Sequence, residues 1–173
     1  MQLSNEGDVN IEMALDKENS ENIKLLLVRS RGIYYGIYIE FVYNVVPMPT
    51  TQKLVRIPNS EQYCKGVISL RGNVAPVISL DVMIGEQEDK CTNSNHIIIL
   101  RSNDLTSVGI IVSEVLEIIT IKSSYIEKIA DDVSTERNKI CNGIFTYDNK
   151  NLFVLDINKI LLLDIPYKKQ WDV

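Results

Sequence analysis

Ten short apolar segments follow one another along this chain, and their spacing most constrains its fold. Many contain β-branched or aromatic residues, and glycine, asparagine or aspartate separates them, as is typical of strands and turns. The predicted strands are residues 24–30, 33–39, 42–47, 67–70, 74–80, 97–101, 107–112, 115–121, 143–147 and 151–155. The long helical crossovers of a parallel sheet are missing, so the pattern predicts antiparallel β-barrels. One helix is predicted over 157–163, with Asp156 as its N-cap.

An internal repeat divides these segments into two similar sets. The pairs that lie 73 residues apart are Gly36 and Gly109, Val42 and Val115, and Val45 and Ile118, and a later pair, Gly66 and Gly143, lies 77 residues apart. A nearly constant offset predicts two similar subdomains, at about 33–85 and 97–160, although chance among apolar β segments is the alternative. The polar stretch 85–95 is predicted to be a surface loop at their boundary.

A single arginine stands at the turn between two of the predicted strands. Arg71-Gly72 joins 67–70 to 74–80, and glycine at such a turn tolerates positive φ. An arginine in this place has two interpretations. It is a contact residue for a partner, since arginine is enriched at interfaces, or it is a solvated surface charge, which is the commoner case when only the residues are considered.

The residues that usually carry chemistry are scarce. The three cysteines, Cys64, Cys91 and Cys141, are scattered and do not form a zinc or disulfide pattern. His96 is the only histidine, and no motif supplies it with an acid or a nucleophile. We therefore expect no catalytic residue, no metal and no cofactor.

The charge is concentrated at one end of the chain. The net charge is −5, and residues 1–21 contain six acidic side chains and one lysine, so the remainder is neutral. A neutral body without basic stripes argues against nucleic-acid binding. Residues 1–22 are predicted to be a disordered acidic tail and 164–173 a C-terminal tail. No apolar stretch is long enough to insert in a membrane, and free cysteines favour the cytoplasm.

Four segments together resemble the CheW-like domain of bacterial chemotaxis adaptors. They are residues 66–80 (GVISLRGNVAPVISL), 35–39 (YGIYI) followed by Val42 and Val45, 108–112 (VGIIV) followed by Val115 and Ile118, and 142–144 (NGI) followed by 152–156 (LFVLD). The resemblance covers roughly 24–163, and the domain is predicted over 23–163. It implies a mainly β fold of two five-stranded SH3-like barrels packed across an apolar seam, with a short C-terminal helix.

The resemblance also implies a function. CheW-like adaptors link the cytoplasmic tip of chemoreceptors to the regulatory domain of the histidine kinase CheA, at membrane-associated arrays, without catalysis. The partner-binding residues that it implies here are Val42, Asn44, Arg71, Val115 and Ile118. For the apolar ones, ordinary core packing is the alternative. The expected structural glycines are Gly36, Gly66, Gly72, Gly109 and Gly143.

Four positions depart from the family pattern and leave alternatives open. Asn44 stands where a glutamate is common, and Ser79, Asp81 and Ser113 also differ. A divergent scaffold for another sensory kinase is therefore a second hypothesis. A small β-barrel enzyme is a third, and the single histidine speaks against it.

Overall fold

The computed structural model describes residues 20–48, 54–87, 95–102, 107–130, 135–163 and 165. These ranges form strands for the most part, as predicted, with two short α-helices, of which only the C-terminal one was predicted. The elements are β1 Asn22–Ser30, β2 Ile33–Tyr38, β3 Val42–Pro47, β4 Cys64–Leu70, β5 Asn73–Ser79, α1 Leu80–Met83, β6 His96–Arg101, β7 Ser107–Val112, β8 Glu114–Lys122, β9 Glu127–Lys128, β10 Cys141–Tyr147, β11 Lys150–Leu155 and α2 Ile157–Leu162. The mainly β class and the C-terminal helix are confirmed.

The strands form two sheets. The first sheet has the order β8-β1-β2-β11-β10-β9 and the second has the order β3-β6-β7-β5-β4. The prediction of purely antiparallel sheets is wrong at one place in each, because β11 pairs with β2, and β5 with β7, in parallel. Both parallel pairs join strands that are distant in sequence, so the connections are long enough for a parallel register.

The two sheets have the same strand order when the repeat is applied. The first sheet is counted from its β8 edge and the second from its β3 edge. In that order, the strands β8, β1, β2, β11 and β10 correspond to β3, β6, β7, β5 and β4. The matched glycines are in register, since Gly36 pairs with Val154 and Gly109 pairs with Val77. The repeat begins earlier than predicted, because β1 corresponds to β6. Each half of the chain contributes strands to both sheets.

Three apolar clusters hold the fold together. One lies on the first sheet and includes Leu25 and Leu27, one lies on the second and includes Ile97 and Ile99, and a third joins the two sheets. Successive side chains of a strand point to opposite faces of the sheet. Leu26, between Leu25 and Leu27, and Ile98, between Ile97 and Ile99, therefore belong to the third cluster. We call this third cluster the seam. Burial on both faces explains the uninterrupted apolar runs of β1 and β6.

Two-residue turns close three of the hairpins. They are Arg31-Gly32, Arg71-Gly72 and Asp148-Asn149, and all six residues have positive φ, between 48° and 84°. Positive φ at both central positions is the geometry of the type I′ turn, whose twist matches that of the flanking strands. The predicted turn at Arg71 is therefore confirmed.

Residues just outside the predicted domain, 23–163, also make contacts with the fold. At the N-terminal end, β1 already includes Asn22, and the carbonyl of Glu21 accepts a hydrogen bond from the amide of Ser123. At the C-terminal end, Ile165 is buried in the seam. The boundaries at residues 22 and 164 stay a prediction. Residues 1–19, 164 and 166–173 of the predicted tails lie outside the described residues.

Candidate functional site

Two of the predicted site residues line one cavity. It has a volume of about 230 Å³ and is lined by Tyr43, Asn44, Leu70 and Arg71. We call it the arginine pocket. Its walls come from β3 and β4, which are the two edges of the second sheet. Five flat strands would hold these edges roughly 19 Å apart, so the sheet must curl and bring its edges together, as in a barrel.

A bulge in β3 shapes one side of the arginine pocket. The register of β3 against β6 shifts between Val42 and Asn44, and an extra residue in a strand is left unpaired. This residue, Tyr43, is 48% exposed, and the guanidinium of Arg101 lies 3.3 Å from the centroid of its ring. The contact is a cation–π interaction. The Oδ1 atom of Asn44 accepts a hydrogen bond from the amide of Val45 at 2.8 Å.

The turn of the β4–β5 hairpin forms the other side. Arg71 has a φ of 50° and is exposed, and Leu70 before it is half-buried. None of the described residues that line the pocket is acidic. The pocket therefore presents a guanidinium and a carboxamide beside apolar walls.

The three predicted apolar contact residues lie elsewhere. Val42 pairs with Leu100 and Val115 with Val28, and both valines are half-buried against the seam. They lie on different sheets, at the margin of the seam. Ile118 is 57% exposed on β8. None of the three lines the arginine pocket, so the structure brings only Asn44 and Arg71 together in that cavity.

The predicted structural glycines occupy crowded positions, except one. Gly66 has a φ of +139°, and a Cβ atom there would lie 2.5 Å from the carbonyl oxygen of Val55. At Gly109 and Gly36 a Cβ atom would approach side chains to 2.8 and 3.2 Å, and at Gly143 it would overlap Ile126. Gly72 has open space around it and a φ of +84°, so the turn alone requires glycine there.

Two further cavities, which the sequence analysis did not anticipate, occupy the same place in the two repeats. They have volumes of about 540 and 620 Å³. The residues of the first that recur 77 positions later in the second are Glu61, Gln62, Cys64, Lys65 and Val82, matched by Asn138, Lys139, Cys141, Asn142 and Lys159. The offset between Gly66 and Gly143 is the sequence signal that could have located this pair.

Cys141, which lines the larger cavity, is not a reactive thiol. Burial raises the pKa of the Cys141 thiol to about 12, so the thiol stays protonated at neutral pH. The ammonium of Lys159 donates hydrogen bonds to the carbonyls of Asn138 and Cys141, at 3.3 and 3.5 Å. The nucleophilic form of cysteine is the thiolate, and the Cys141 thiol stays protonated while the Lys159 ammonium is engaged by backbone carbonyls. Cys141 is therefore not an activated nucleophile.

Three of the departures from the family pattern have contacts inside the fold. Ser79 caps α1 through its Oγ, and the buried carboxylate of Asp81 accepts a hydrogen bond from Ser30 Oγ at 2.8 Å. The amide of Ser113 donates to the carbonyl of Arg29. Asn44 differs from these, since its side chain lines a cavity.

The described residues form neither a metal-binding group nor a helix that could span a membrane. Across the described ranges, no three histidine, cysteine, aspartate or glutamate side chains are grouped so that they could hold a metal ion. No helix in those ranges combines the length and the apolar character that crossing a bilayer requires.

Comparisons with known proteins agree on one family. A model described as the CheW-like domain matches residues 24–163. The chain is 33% identical over 138 residues to a chemotaxis protein CheW of Bacillus subtilis, covering 80% of this chain and 86% of that protein. It is 28% identical over 123 residues to a chemotaxis protein CheW of Helicobacter pylori, covering 71% and 73%.

A solved structure has a similar fold. The scaffolding protein TtCheW from Thermoanaerobacter tengcongensis superposes with a TM-score of 0.72, covering 83% of this chain and 95% of that one, at 24% identity. At this identity the likeness concerns the fold, and it confirms the predicted fold class.

Proposed function

The chain belongs to the CheW-like domain family, and we propose that it is a chemotaxis adaptor that couples chemoreceptors to the histidine kinase CheA. It acts by binding and not by catalysis. One surface takes the cytoplasmic tip of the receptor, and another takes the regulatory domain of the kinase. The protein works in the cytoplasm, at membrane-associated receptor arrays.

One observation of the structure carries this proposal. Arg71 and Asn44, which the resemblance implies as contact residues, come from opposite edges of a sheet and line one open cavity. An arginine on a tight turn beside a cavity is well placed for a partner contact, because arginine is enriched at interfaces.

The margin of the seam is the second surface. Val42 and Val115 are half-buried there, at matched positions of the two repeats. A half-buried valine adds little area to the core and leaves apolar surface for an apolar partner. We assign this margin, together with the exposed Ile118, to the receptor tip.

The experiment measures the binding of the full chain to a receptor cytoplasmic fragment and to the CheA regulatory domain. Val42→Asp and Val115→Asp should abolish receptor binding, because a carboxylate buried without a partner is strongly unfavourable. Kinase binding should persist in part. Val55→Asp is the matched control, since Val55 is 66% exposed, and it should bind normally.

The variants must first be shown to fold by circular dichroism. Unfolding of either valine variant would show that the position belongs to the core. Folded variants that bind the receptor fragment as well as the unmodified chain does would reject the assignment of the seam margin.

A scaffold for a different sensory kinase is the second candidate. Asn44 favours it, because this departure from the family pattern lies in the arginine pocket. Recovery of a chemoreceptor or CheA with the protein in a pull-down would support the first proposal, and recovery of another kinase alone would support the second.

A further inference from the structure

We propose that the acidic segment 1–19 of this chain docks in the larger of the two matched cavities, of about 620 Å³, and covers it. We call this cavity the lysine cavity, after the three lysines among its lining residues. The proposal concerns a contact within one chain and does not depend on the adaptor function. It rests on where the segment meets the fold, on its length, on its charge and on its apolar side chains.

The segment joins the described fold at the rim of the lysine cavity. Ser20 Oγ lies 2.8 Å from Ser124 Oγ, and the carbonyl of Glu21 accepts a hydrogen bond from the amide of Ser123 at 2.9 Å. Ser123 is itself one of the lining residues. Residues 1–19 therefore start from the edge of this cavity.

The segment is long enough to cross the cavity. Its apolar side chains Ile11 and Leu15 lie nine and five residues before Ser20. An extended chain spans roughly 3.3 Å per residue, so these side chains can reach roughly 30 and 17 Å from Ser20. A short tether also gives an effective concentration on the order of millimolar, which populates even a weak contact. A contact this weak stabilises the fold only slightly.

The charges of the segment and the cavity are complementary. Segment 1–19 carries five acidic side chains and one lysine, a side-chain charge of −4. The cavity is lined by Lys128, Lys139 and Lys159 against the single acid Asp156, among the described residues. The carboxylate of Asp156 is already engaged, because it accepts a hydrogen bond from the amide of Lys159. Complementary charge of this kind selects one partner surface over another.

Lys128 is the lysine best placed to meet the segment. The ammonium of Lys159 donates to two backbone carbonyls, and Lys139 Nζ lies 2.6 Å from a carboxylate oxygen of Glu136. Lys128 is exposed on β9 and makes no ion pair within the described ranges. Its ammonium can therefore pair with a carboxylate of the segment without breaking an existing contact.

The matched cavity of the other repeat lacks this preference. It has a volume of about 540 Å³, and the charges of its described lining balance, since Arg56 and Lys65 stand against Glu61 and Glu86. The two cavities hold the same place in the fold but differ in charge. The segment should therefore choose the lysine cavity, and the other cavity supplies matched controls.

The cavity also offers apolar surface. Ile126 and Ile129 line it and are half-buried. In the segment, Ile11 and Leu15 stand directly beside the acids Glu12 and Asp16. Burial of these apolar side chains adds a favourable contribution that salt does not screen, whereas the ion pairs weaken as salt is added.

The first experiment cross-links the full chain. A carbodiimide joins a carboxylate to an amine that touches it, and mass spectrometry locates the new amide bonds. Carboxylates of segment 1–19 should join Lys128 in a yield roughly fivefold or more above that of Lys65, because the tethered segment occupies only one cavity. Lys65 is the matched control, since it lines the other cavity.

The second experiment removes the apolar contact and keeps length and charge. Ile11→Ser combined with Leu15→Ser should lower the cross-linking of Lys128 at least threefold and shift the amide signal of Asn142, another lining residue, in an NMR spectrum of the full chain. Lys128→Glu should move the Asn142 signal in the same direction, whereas Lys65→Glu should leave it unchanged. Circular dichroism confirms that each variant is folded.

Each outcome supports or overturns the proposal. Equal yields at Lys128 and Lys65 overturn it, and so does an Asn142 signal that is the same in the serine variant. Cross-links at Lys128 that persist in the serine variant indicate attraction of charge alone and overturn docking in the cavity. Cross-links between isotopically light and heavy copies in a mixed sample assign the segment to a second copy and overturn the contact within one chain. None of these outcomes bears on the adaptor function.

Discussion

Ser79 and Asp156, which lie 77 residues apart, hold the same position in the two halves of the fold. Ser79 ends β5 and Asp156 directly follows β11, and each is the N-cap of the helix after it, α1 for Ser79 and α2 for Asp156. Ser79 Oγ accepts from the Val82 amide at 3.5 Å, and Asp156 Oδ1 accepts from the Lys159 amide at 3.1 Å. The repeat is thus preserved at the level of single hydrogen bonds.

The two caps should differ in their contribution to stability. Asp156→Ala should lower the free energy of unfolding by about 1 kcal/mol, because it leaves helix amides without an acceptor. Ser79→Ala should cost less, since its hydrogen bond is longer and α1 has only four residues. Urea denaturation of both variants checks the order. Asp156→Asn keeps an acceptor and should restore most of the stability, and an equal loss in the alanine and asparagine variants would contradict a capping role.

Gly66 should tolerate no side chain. Alanine there combines a φ of +139° with a Cβ atom 2.5 Å from the Val55 carbonyl, so Gly66→Ala should destabilise by about 3 kcal/mol or more. Gly72→Ala is the control, because it has a positive φ but open space, and should cost about 1 kcal/mol. Thermal melts of the two variants test this difference in stability. Similar melting temperatures would show that the backbone near Val55 shifts to make room for the new Cβ atom.

Stability should fall at alkaline pH because of Cys141. The folded pKa is raised from 9.0 to about 12, so the unfolded chain releases this proton first as the pH rises. The contribution of Cys141 is complete below about pH 9 and is lost between about pH 9 and 12, at up to about 1.4 kcal/mol per pH unit. Burial also raises the pKa of Tyr35 above its usual 10, and this adds a loss at higher pH.

Urea midpoints at pH 8, 9 and 10 for the unmodified protein and for Cys141→Ala isolate the cysteine, since the tyrosines contribute equally to both. Cys141→Ala should lower stability at every pH, because it leaves a small cavity, but its stability should decline less steeply above pH 9 than that of the unmodified protein. Equal slopes would show that the thiol does not control the alkaline loss.

Deletion of the acidic segment should be harmless only up to residue 19. Removal of residues 1–19 should leave the melting temperature unchanged within a few degrees, because this segment is acidic and polar and precedes the repeat. Removal of residues 1–21 also deletes the Ser20–Ser124 hydroxyl contact and the bond from Ser123 to Glu21. The longer deletion should therefore melt lower. A large drop already in the shorter deletion would place part of the segment in the core.

Most strands could be predicted because their side chains carry the signal locally. The segment 107–112 was predicted with its observed bounds, and the β3 segment 42–47 likewise. The turn at Arg71-Gly72 could also be predicted from the sequence, because glycine is one of the few residues that adopt positive φ at low cost. Local chemistry thus determined the elements and their turns.

Elements that depend on distant partners were missed. The helix α1 lies directly after an apolar strand, and its four residues are too few to show a helical period. The two residues of β9 are a strand only because they pair with β10. The joint lining of one cavity by Asn44 and Arg71 depends on the curling of a whole sheet, which no local pattern contains.

The assignment of strands to sheets has a consequence for how the chain can be divided. The first sheet takes β1 and β2 from one half of the sequence and β8 to β11 from the other, and the second sheet takes β3 to β5 and then β6 and β7. Cleavage between α1 and β6 would therefore not release two autonomous domains. Each fragment would carry strands that have lost their neighbours, and the two would regain structure only by associating, as two interlocked subunits do when they exchange strands.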